Sequence, residues 1–380
     1  MSHVVSMPRI MVFSACLIAS LAAGAGEASP ELATGARVAV GAGPADMVFS
    51  ADGQQLYVTE NEDNTVVVVD VARRSVLRRF GDGGWKAPEG DGCSHNFCRG
   101  SGAAGIAVDA QRQRAYVSSW NINALTAFDL RSGQALWSTP LQRFPQPLLL
   151  TPDGAQAWVF NGVANSLSVV DAATGEVVAD ALPLDGGDAR NLSFGRQLAL
   201  TMAVDGRHLY VNSIFGDGIE VFDTAKRSRS ALIESGASPY DLAVDRNNGN
   251  LVALYEDGVV DYAAATLSPL RAYRFCNEVT TWNMALSDDG RLLALTFPKN
   301  ALAMVVARDS GLLTHVFQTD AWPMKVAFSP DSRLLAVLNA GDTASVSLLD
   351  VHAPMDLEPL RSQLSELFCQ PNTETMQWMR

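Results

Sequence analysis

A short polar turn recurs along the chain at intervals of 41 to 59 residues, four of which lie within one residue of 42. The turns are anchored at seven positions: Asp52, Gln111, Asp153, Asp205, Asn248, Asp289 and Asp331. Five residues after each anchor stands an aromatic residue or alanine, followed at once by Val or Leu. A fixed offset that returns seven times indicates one supersecondary unit copied along the chain.

Each repeat has β-prone segments on both sides of its turn. Asp-Gly suits a hairpin because Gly accepts positive φ and Asp caps the turn. A second aspartate closes an apolar run 18 residues after the anchor in the first four repeats and one residue later in the last: Asp70, Asp129, Asp171, Asp223 and Asp350. Val, Ile, Tyr and Phe around these landmarks suit a buried pleated surface. Every unit is therefore predicted to contain four short antiparallel strands.

Repeats of this length with four strands each are typical of propeller blades. The sequence predicts an all-β fold, a seven-bladed β-propeller of four-stranded antiparallel blades over residues 36–355, followed by a C-terminal tail at residues 356–380. Closing the ring requires a strand from a distant part of the chain, and closure also hides exposed strand edges. Arg37-Val38-Ala39-Val40 is predicted to supply the outer strand of the last blade; residues 354–360 are the alternative.

The first 25 residues have the pattern of an export signal. Arg9 precedes an uncharged apolar run at residues 10–23, and Ala23-Gly24-Ala25 offers the small residues that signal peptidase needs. That run is shorter than the roughly 20 residues a spanning helix requires. We expect a signal peptide at residues 1–25, a periplasmic or secreted protein, and no transmembrane segment in the mature chain. Lipidation at Cys16 is the alternative.

The charge balance limits the classes of partner. The chain has 28 Lys and Arg against 41 Asp and Glu, a net charge of −13. A nucleic-acid binder needs a basic surface that neutralises phosphates. The sequence therefore predicts no nucleic-acid partner, and instead a protein or small-molecule ligand.

Several short segments of the repeat resemble the sequence motifs of a known family. Tyr57-Val58-Thr59-Glu60-Asn61, followed by Asn64-Thr65-Val66 and Asp70, resembles the YVTN-type β-propeller family. Thr151-Pro152-Asp153-Gly154 and Ser329-Pro330-Asp331 resemble the turn of the same family. The resemblance covers nearly all of the mature chain and implies the propeller fold. It also implies surface-layer and periplasmic binding proteins, with relatives among haem d1-type and lactonase-type propellers, but no particular chemistry.

In such a propeller the loops between second and third strands open on the same face as the links between blades. We call this the loop face; the Asp-Gly turns lie on the other. Binding residues gather on loops that a rigid scaffold presents. The predicted ligand-binding residues are Glu60, Asn61, Trp85, His95, Arg99, Trp120, Asn161, Asn212, Tyr240, Trp282 and Trp322. Asn and Trp together suit a sugar, peptide or planar cofactor; alternatively, Asn serves tight loops and Trp fills gaps between blades.

Four cysteines remain after the signal: Cys93, Cys98, Cys276 and Cys369. An even number in an exported protein predicts disulfides, and the spacing does not give their pairing. A soft metal held by Cys93, His95 and Cys98 is the weaker alternative. The sequence has no Cys-x-x-Cys-His haem attachment motif. No cofactor is predicted, and association with a metal, a haem or a quinone stays open.

Motifs of hydrolytic enzymes are absent from the sequence, which has neither Gly-x-Ser-x-Gly nor His-Glu-x-x-His. Glu60, Glu62 and Asp63 suit calcium binding or acid–base chemistry, or else form a solvated turn. We therefore expect a non-catalytic scaffold that binds a ligand or partner through its loop face. The alternative is an enzyme or cofactor protein, either a lactonase-like hydrolase or a redox partner associated with haem d1 or a quinone.

Overall fold

The structure is a computed structural model that describes residues 32–81, 102–184, 199–212, 218–275 and 281–358. Across these residues it contains 29 β-strands and a 3₁₀ turn at Pro298–Asn300. The strands form seven sheets of four or five strands, so the predicted all-β, seven-bladed propeller is confirmed. No helix in these ranges is long and apolar enough to cross a membrane.

Six blades are built from four consecutive strands each, in chain order from the axis outwards. Blades one to three comprise β3 (Pro44–Phe49), β4 (Gln55–Glu60), β5 (Thr65–Asp70), β6 (Ser75–Gly81), β7 (Ala103–Asp109), β8 (Arg114–Ser119), β9 (Ala124–Asp129), β10 (Ala135–Pro140), β11 (Pro145–Leu150), β12 (Gln156–Asn161), β13 (Ser166–Asp171) and β14 (Val177–Pro183). Blades four to six comprise β15 (Leu200–Met202), β16 (His208–Asn212), β17 (Gly218–Asp223), β18 (Ser228–Glu234), β19 (Asp241–Val244), β20 (Leu251–Tyr255), β21 (Gly258–Tyr262), β22 (Pro269–Arg274), β23 (Met284–Leu286), β24 (Leu292–Phe297), β25 (Leu302–Ala307) and β26 (Leu312–Gln318).

The seventh blade joins the two ends of the propeller. Its inner strands are β27 (Pro323–Phe328), β28 (Leu334–Asn339) and β29 (Ser345–Asp350), and its outer strand is β2 (Ala36–Ala39). Val38 of β2 lies opposite Val346 in an antiparallel register, which confirms closure by the N-terminal strand. The alternative closing segment forms no strand over residues 354–358.

One strand was not predicted. β1 (Ala33–Thr34) pairs in parallel with β26 and gives the sixth blade a fifth strand. Only Gly35 separates β1 from β2. The chain therefore runs along the outer edge of blade six immediately before it completes blade seven.

The recurring turns are hairpins between the first two strands of a blade. In four of them a Ser or Thr hydroxyl donates to the turn aspartate at 2.6 Å, as Ser50 does to Asp52. Gly53 follows with φ +69°, a conformation that Gly adopts without strain. At the end of the third strand, Asp70 accepts the backbone N–H of Arg73 at 2.8 Å and shapes the next turn.

The aromatic residue of the repeat fills the wedge between neighbouring blades. Tyr116 is fully buried and its hydroxyl donates to the carbonyl of Ala172 in the next blade at 2.9 Å. Trp158 packs likewise against Leu209 and Phe222 of blade four. The core therefore consists of apolar layers between adjacent blades. The innermost strand of each blade, its first, lies next to the propeller axis.

Candidate functional site

A cavity of about 910 Å³ opens on the loop face around the propeller axis. Residues at corresponding positions near the start of the first strands contribute to its wall, six or seven residues before the turn anchor of each repeat. Six blades supply such a residue: Asp46, Gly105, Pro147, Asp241, Asn283 and Lys325. Links and loops of the last and first blades, at residues 39–45 and 340–344, complete the mouth.

One side of this wall is polar and continuous across four blades. The Nζ of Lys325 lies 2.6 Å from Oδ1 of Asp46, joining blades seven and one. Asn283 donates from Nδ2 to Oδ2 of Asp241 at 2.6 Å, joining blades six and five. Its own Oδ1 accepts the backbone N–H of Val326 in blade seven at 2.9 Å. We call Asp241, Asn283, Lys325 and Asp46 the polar arc.

Burial and neighbouring charges shift the pKa values of two residues in the polar arc. Burial raises the pKa of Asp241 to about 6, against the opposing effects of Lys325 and of the N–H groups of Met284 and Leu242. Burial lowers the pKa of Lys325, but Asp46 and Asp241 outweigh this effect and the net shift is upward. At neutral pH the arc therefore holds a firmly protonated ammonium beside a carboxylate that gains a proton readily under mild acid.

The opposite side of the wall is small and apolar. Gly105 cannot be replaced by a larger residue without rearrangement, because a Cβ there would lie 2.1 Å from the carbonyl oxygen of Gln146. The hydroxyl of Ser118 joins these two positions, since it accepts from the Gly105 N–H at 2.9 Å and donates to Gln146 O at 2.5 Å. Pro147 continues this side in blade three, so the wall is polar over one arc and apolar over the other.

Aromatic rings form the rim of the cavity. Trp120 stacks on Phe144 with ring centroids 4.7 Å apart, and Trp282 lies tilted against Trp322 at 6.4 Å. Trp322 is 46% exposed and has φ +61°, a left-handed conformation that costs a bulky residue about 1–3 kcal/mol. At the same place, just before the first strand, blades one and two carry Gly43 and Gly102 with φ +62° and +72°, and blade three carries Phe144 with φ +64°.

Four of the predicted ligand-binding residues line this cavity: Asn61, Trp120, Trp282 and Trp322. Glu60 lies in the protein interior, where Oε1 accepts the Gly41 N–H at 2.6 Å and Oε2 accepts from Arg79 at 3.1 Å. Glu60 thus supports the link at the cavity mouth without facing the cavity. Tyr240 is half-buried directly before Asp241.

Two of the predicted asparagines hold loops and blades together. Asn161 is fully buried and donates to the hydroxyl of Ser168 at 2.8 Å. Asn212 accepts the Ala199 N–H at 2.9 Å and donates to the Pro239 carbonyl of the next blade at 3.1 Å. Seven further predicted residues lie outside the described ranges: Trp85, Cys93, His95, Cys98, Arg99, Cys276 and Cys369.

The polar arc contains residues that sequence reasoning missed, Asp46, Asp241 and Lys325. The available signal was their position in the repeat: each lies in the first strand, six or seven residues before the turn anchor, where an apolar residue would be expected.

Within the described part of the chain, no three His, Cys, Asp or Glu side chains converge as a metal site would require. Asp63, one of the acids considered for calcium, accepts the Ala42 N–H at 2.8 Å.

Comparison with known proteins supports the architecture. Residues 18–179, less than half of the chain, match the sequence model of the family described as "Lactonase, 7-bladed beta-propeller". No curated protein matches the sequence significantly.

Two solved structures resemble the whole propeller. Hydrazine synthase of Kuenenia stuttgartiensis superposes with a TM-score of 0.64 at 14% identity, over 86% of this chain and 99% of that one. The Cps50 (Swd1) β-propeller domain of Myceliophteria thermophila gives 0.65 at 16% identity, over 83% and 98%. At such identities the likeness concerns the fold alone, and with the seven sheets it shows that this chain is a seven-bladed β-propeller.

Proposed function

We propose that this protein is an exported, non-catalytic propeller that binds a small-molecule ligand in the loop-face cavity. The supporting observation is the cavity itself. Its volume of about 910 Å³ lies in the range of small-molecule sites, roughly 300–1,000 Å³. Such sites combine apolar and aromatic walls with a few convergent polar groups, as do the Trp rim and the polar arc.

The bonding of the polar arc favours binding over catalysis. Asp46 accepts the N–H of Met47 in its own blade at 2.8 Å and that of Ile106 in the next at 3.1 Å. Asp241 accepts the N–H of Leu242 and that of Met284 in the next blade, both at 2.9 Å. The strands hold these carboxylates rigidly, which pre-organises a binding wall, and the hydrogen bonds that they accept use lone pairs that a general base would need.

Isothermal titration calorimetry tests this proposal. The mature protein is titrated with representatives of four classes: neutral sugars, aldonic acids, organic amines and quinones. We expect one class to bind and Trp322→Ala to weaken that binding about tenfold, since the indole supplies exposed aromatic surface worth roughly 1–2 kcal/mol. Leu312→Ala is the matched control because Leu312 is 66% exposed on β26, the fourth strand of blade six. Absence of binding by all four classes, or equal binding by both variants, would refute a ligand site in the cavity.

A lactonase-like hydrolase is the second candidate. The partial family match and the raised pKa of Asp241, in a cleft beside Lys325, favour it. Lactone hydrolysis by the purified protein, lost in Asp241→Asn, would replace the non-catalytic proposal. A visible chromophore in protein purified from its own host would instead favour the haem- or quinone-associated alternative.

A further inference from the structure

The charges around the cavity are unequal. Four carboxylates contribute to its lining, Asp46, Glu62, Asp241 and Asp342, against two cations, Arg37 and Lys325. Each cation already has a carboxylate partner at 2.6 Å, Arg37 with Asp320 and Lys325 with Asp46. The lining therefore has an excess of two negative charges, and both of its cations are engaged.

Asp241 forms the blade-five end of the polar arc. All three of its hydrogen bonds come from neutral donors: the Asn283 amide and two backbone N–H groups. The Asn283 that orients it follows Trp282 directly in the chain, so the carboxylate and the Trp282–Trp322 pair belong to the same side of the cavity. A carboxylate beside an indole attracts an ammonium ion by charge and by the ring quadrupole, and Trp is the strongest ring for the second effect.

Trp322, on the same side of the cavity as Asp241, has a strained backbone conformation. A left-handed φ is free of strain for Gly43 and Gly102 at the equivalent place, whereas Trp322 and, on the opposite rim, Phe144 adopt it with bulky side chains. Strain of this kind clusters at ligand clamps. Across the cavity, Gly105 and Pro147 leave a small apolar surface that suits a hydrocarbon group.

We propose, building on the ligand site proposed above, that the cavity binds an organic ammonium ion with an aromatic or alkyl substituent. The ammonium group lies between Asp241 and the Trp282–Trp322 pair, and the substituent lies toward Gly105 and Pro147. An anionic ligand is disfavoured because both cations of the lining are already paired and three further carboxylates face it.

Three probes of one shape test the charge requirement: benzylamine, benzyl alcohol and benzoate. Calorimetric titrations of the mature protein at pH 7.5 and low ionic strength should give benzylamine an affinity about tenfold or more above benzyl alcohol. Benzoate should bind more weakly than either. Asp241→Asn should remove the preference for benzylamine while leaving benzyl alcohol nearly unchanged. Asp342→Asn, at an exposed rim position, should weaken benzylamine without any effect on folding.

The outcomes separate this inference from the function on which it rests. If benzyl alcohol or benzoate binds as tightly as benzylamine, or if a sugar, an acid or a quinone binds while no amine does, the ammonium proposal is wrong and the ligand site stands. If benzylamine keeps its advantage in both Asp241→Asn and Asp342→Asn, the proposal is also wrong. If nothing binds at all, the proposed function fails with it. Circular dichroism and thermal unfolding of each variant establish that the ring is intact.

Discussion

Trp322 has a backbone conformation that L-residues avoid. This conformation reverses the usual order of stability expected for Ala and Gly substitutions at the position. At most positions Ala gives a more stable protein than Gly, by roughly 0.5–1 kcal/mol. At φ +61° an alanine keeps the steric conflict of about 1–2 kcal/mol that glycine removes. We therefore expect Trp322→Gly to be more stable than Trp322→Ala by about 1 kcal/mol in urea unfolding.

Trp282 provides the control at the same rim, because its φ is not in the left-handed region. There the usual order should hold, with Trp282→Ala more stable than Trp282→Gly. If Trp322 shows that usual order as well, its backbone is not strained, and the argument from strain to a ligand clamp loses its basis.

Asp241 predicts how ligand binding depends on pH. Its pKa is raised to about 6, so the free protein loses this negative charge as the pH falls through 6. Of the groups that act on it, Lys325 stays protonated across this range because its pKa is raised, and Asp46 is paired with Lys325. A bound ammonium favours the ionised carboxylate. Benzylamine affinity should therefore rise between about pH 5 and pH 7 and level off above, as measured by calorimetry.

The matched variant for this pH series is Asp241→Asn, whose affinity for benzylamine should be lower and nearly constant over the same interval. An affinity that rises as the wild-type protein is acidified would contradict the role given to Asp241, since protonation can only weaken its attraction for a cation.

Arg308, which directly follows β25, links blade six to blade five through a buried ion network. It is 5% exposed, with Nη1 at 2.6 Å from Asp245 and Nη2 at 2.9 Å from Asp261. Burial raises the pKa of Asp245, but the hydrogen bonds from Arg308 and Asn247 and the charge of Arg308 together outweigh it, and the net shift is downward. Without the guanidinium, the buried carboxylates of Asp245 and Asp261 lose the positive charge that compensates them. Arg308→Met should cost about 3–5 kcal/mol of unfolding free energy in urea.

Arg246→Met is the control on the same face of the propeller. Its partner Asp288 lies 2.9 Å away, but both side chains are more than half exposed. Exposed pairs contribute about 0–1 kcal/mol. Equal losses in the two variants would mean that the Arg308 network does not join the blades as its geometry indicates.

The strands could be predicted because their signals are local. Blades five and six lack the second aspartate of the repeat, yet their apolar runs become β21 and β25. β1 could not be predicted, because a two-residue parallel pairing with β26 has no sequence pattern of its own.

The polar arc was missed in the sequence for a different reason. Asp241, Asn283 and Lys325 are each 42 residues apart, and only the ring brings them side by side.

At the scale of the whole molecule, the strand β2 closes the ring, and its buried residue Val38 packs between the first and last blades. Val38 is 4% exposed and packs among Leu56 and Val58 of blade one and Leu338 and Val346 of blade seven. An aspartate there would place an unpaired carboxylate in this core. We expect Val38→Asp to lower the unfolding free energy by about 3 kcal/mol or more in urea.

Ala39→Asp tests whether this loss arises from ring closure. Ala39 is exposed on the opposite face of the same strand, so the same carboxylate stays in water and stability should change by about 0.5 kcal/mol or less. Because Ala39 also lines the cavity mouth, this variant is a control for stability and not for ligand binding. β2 also leads directly into residues 40–46 of the cavity lining, so an opened ring displaces the wall that carries Asp46. Val38→Asp should therefore lose benzylamine binding at temperatures where its far-ultraviolet circular dichroism is still native. Equal stability of the two variants would mean that the outer strand of blade seven is dispensable, and that the cavity does not depend on the N-terminal strand for its shape.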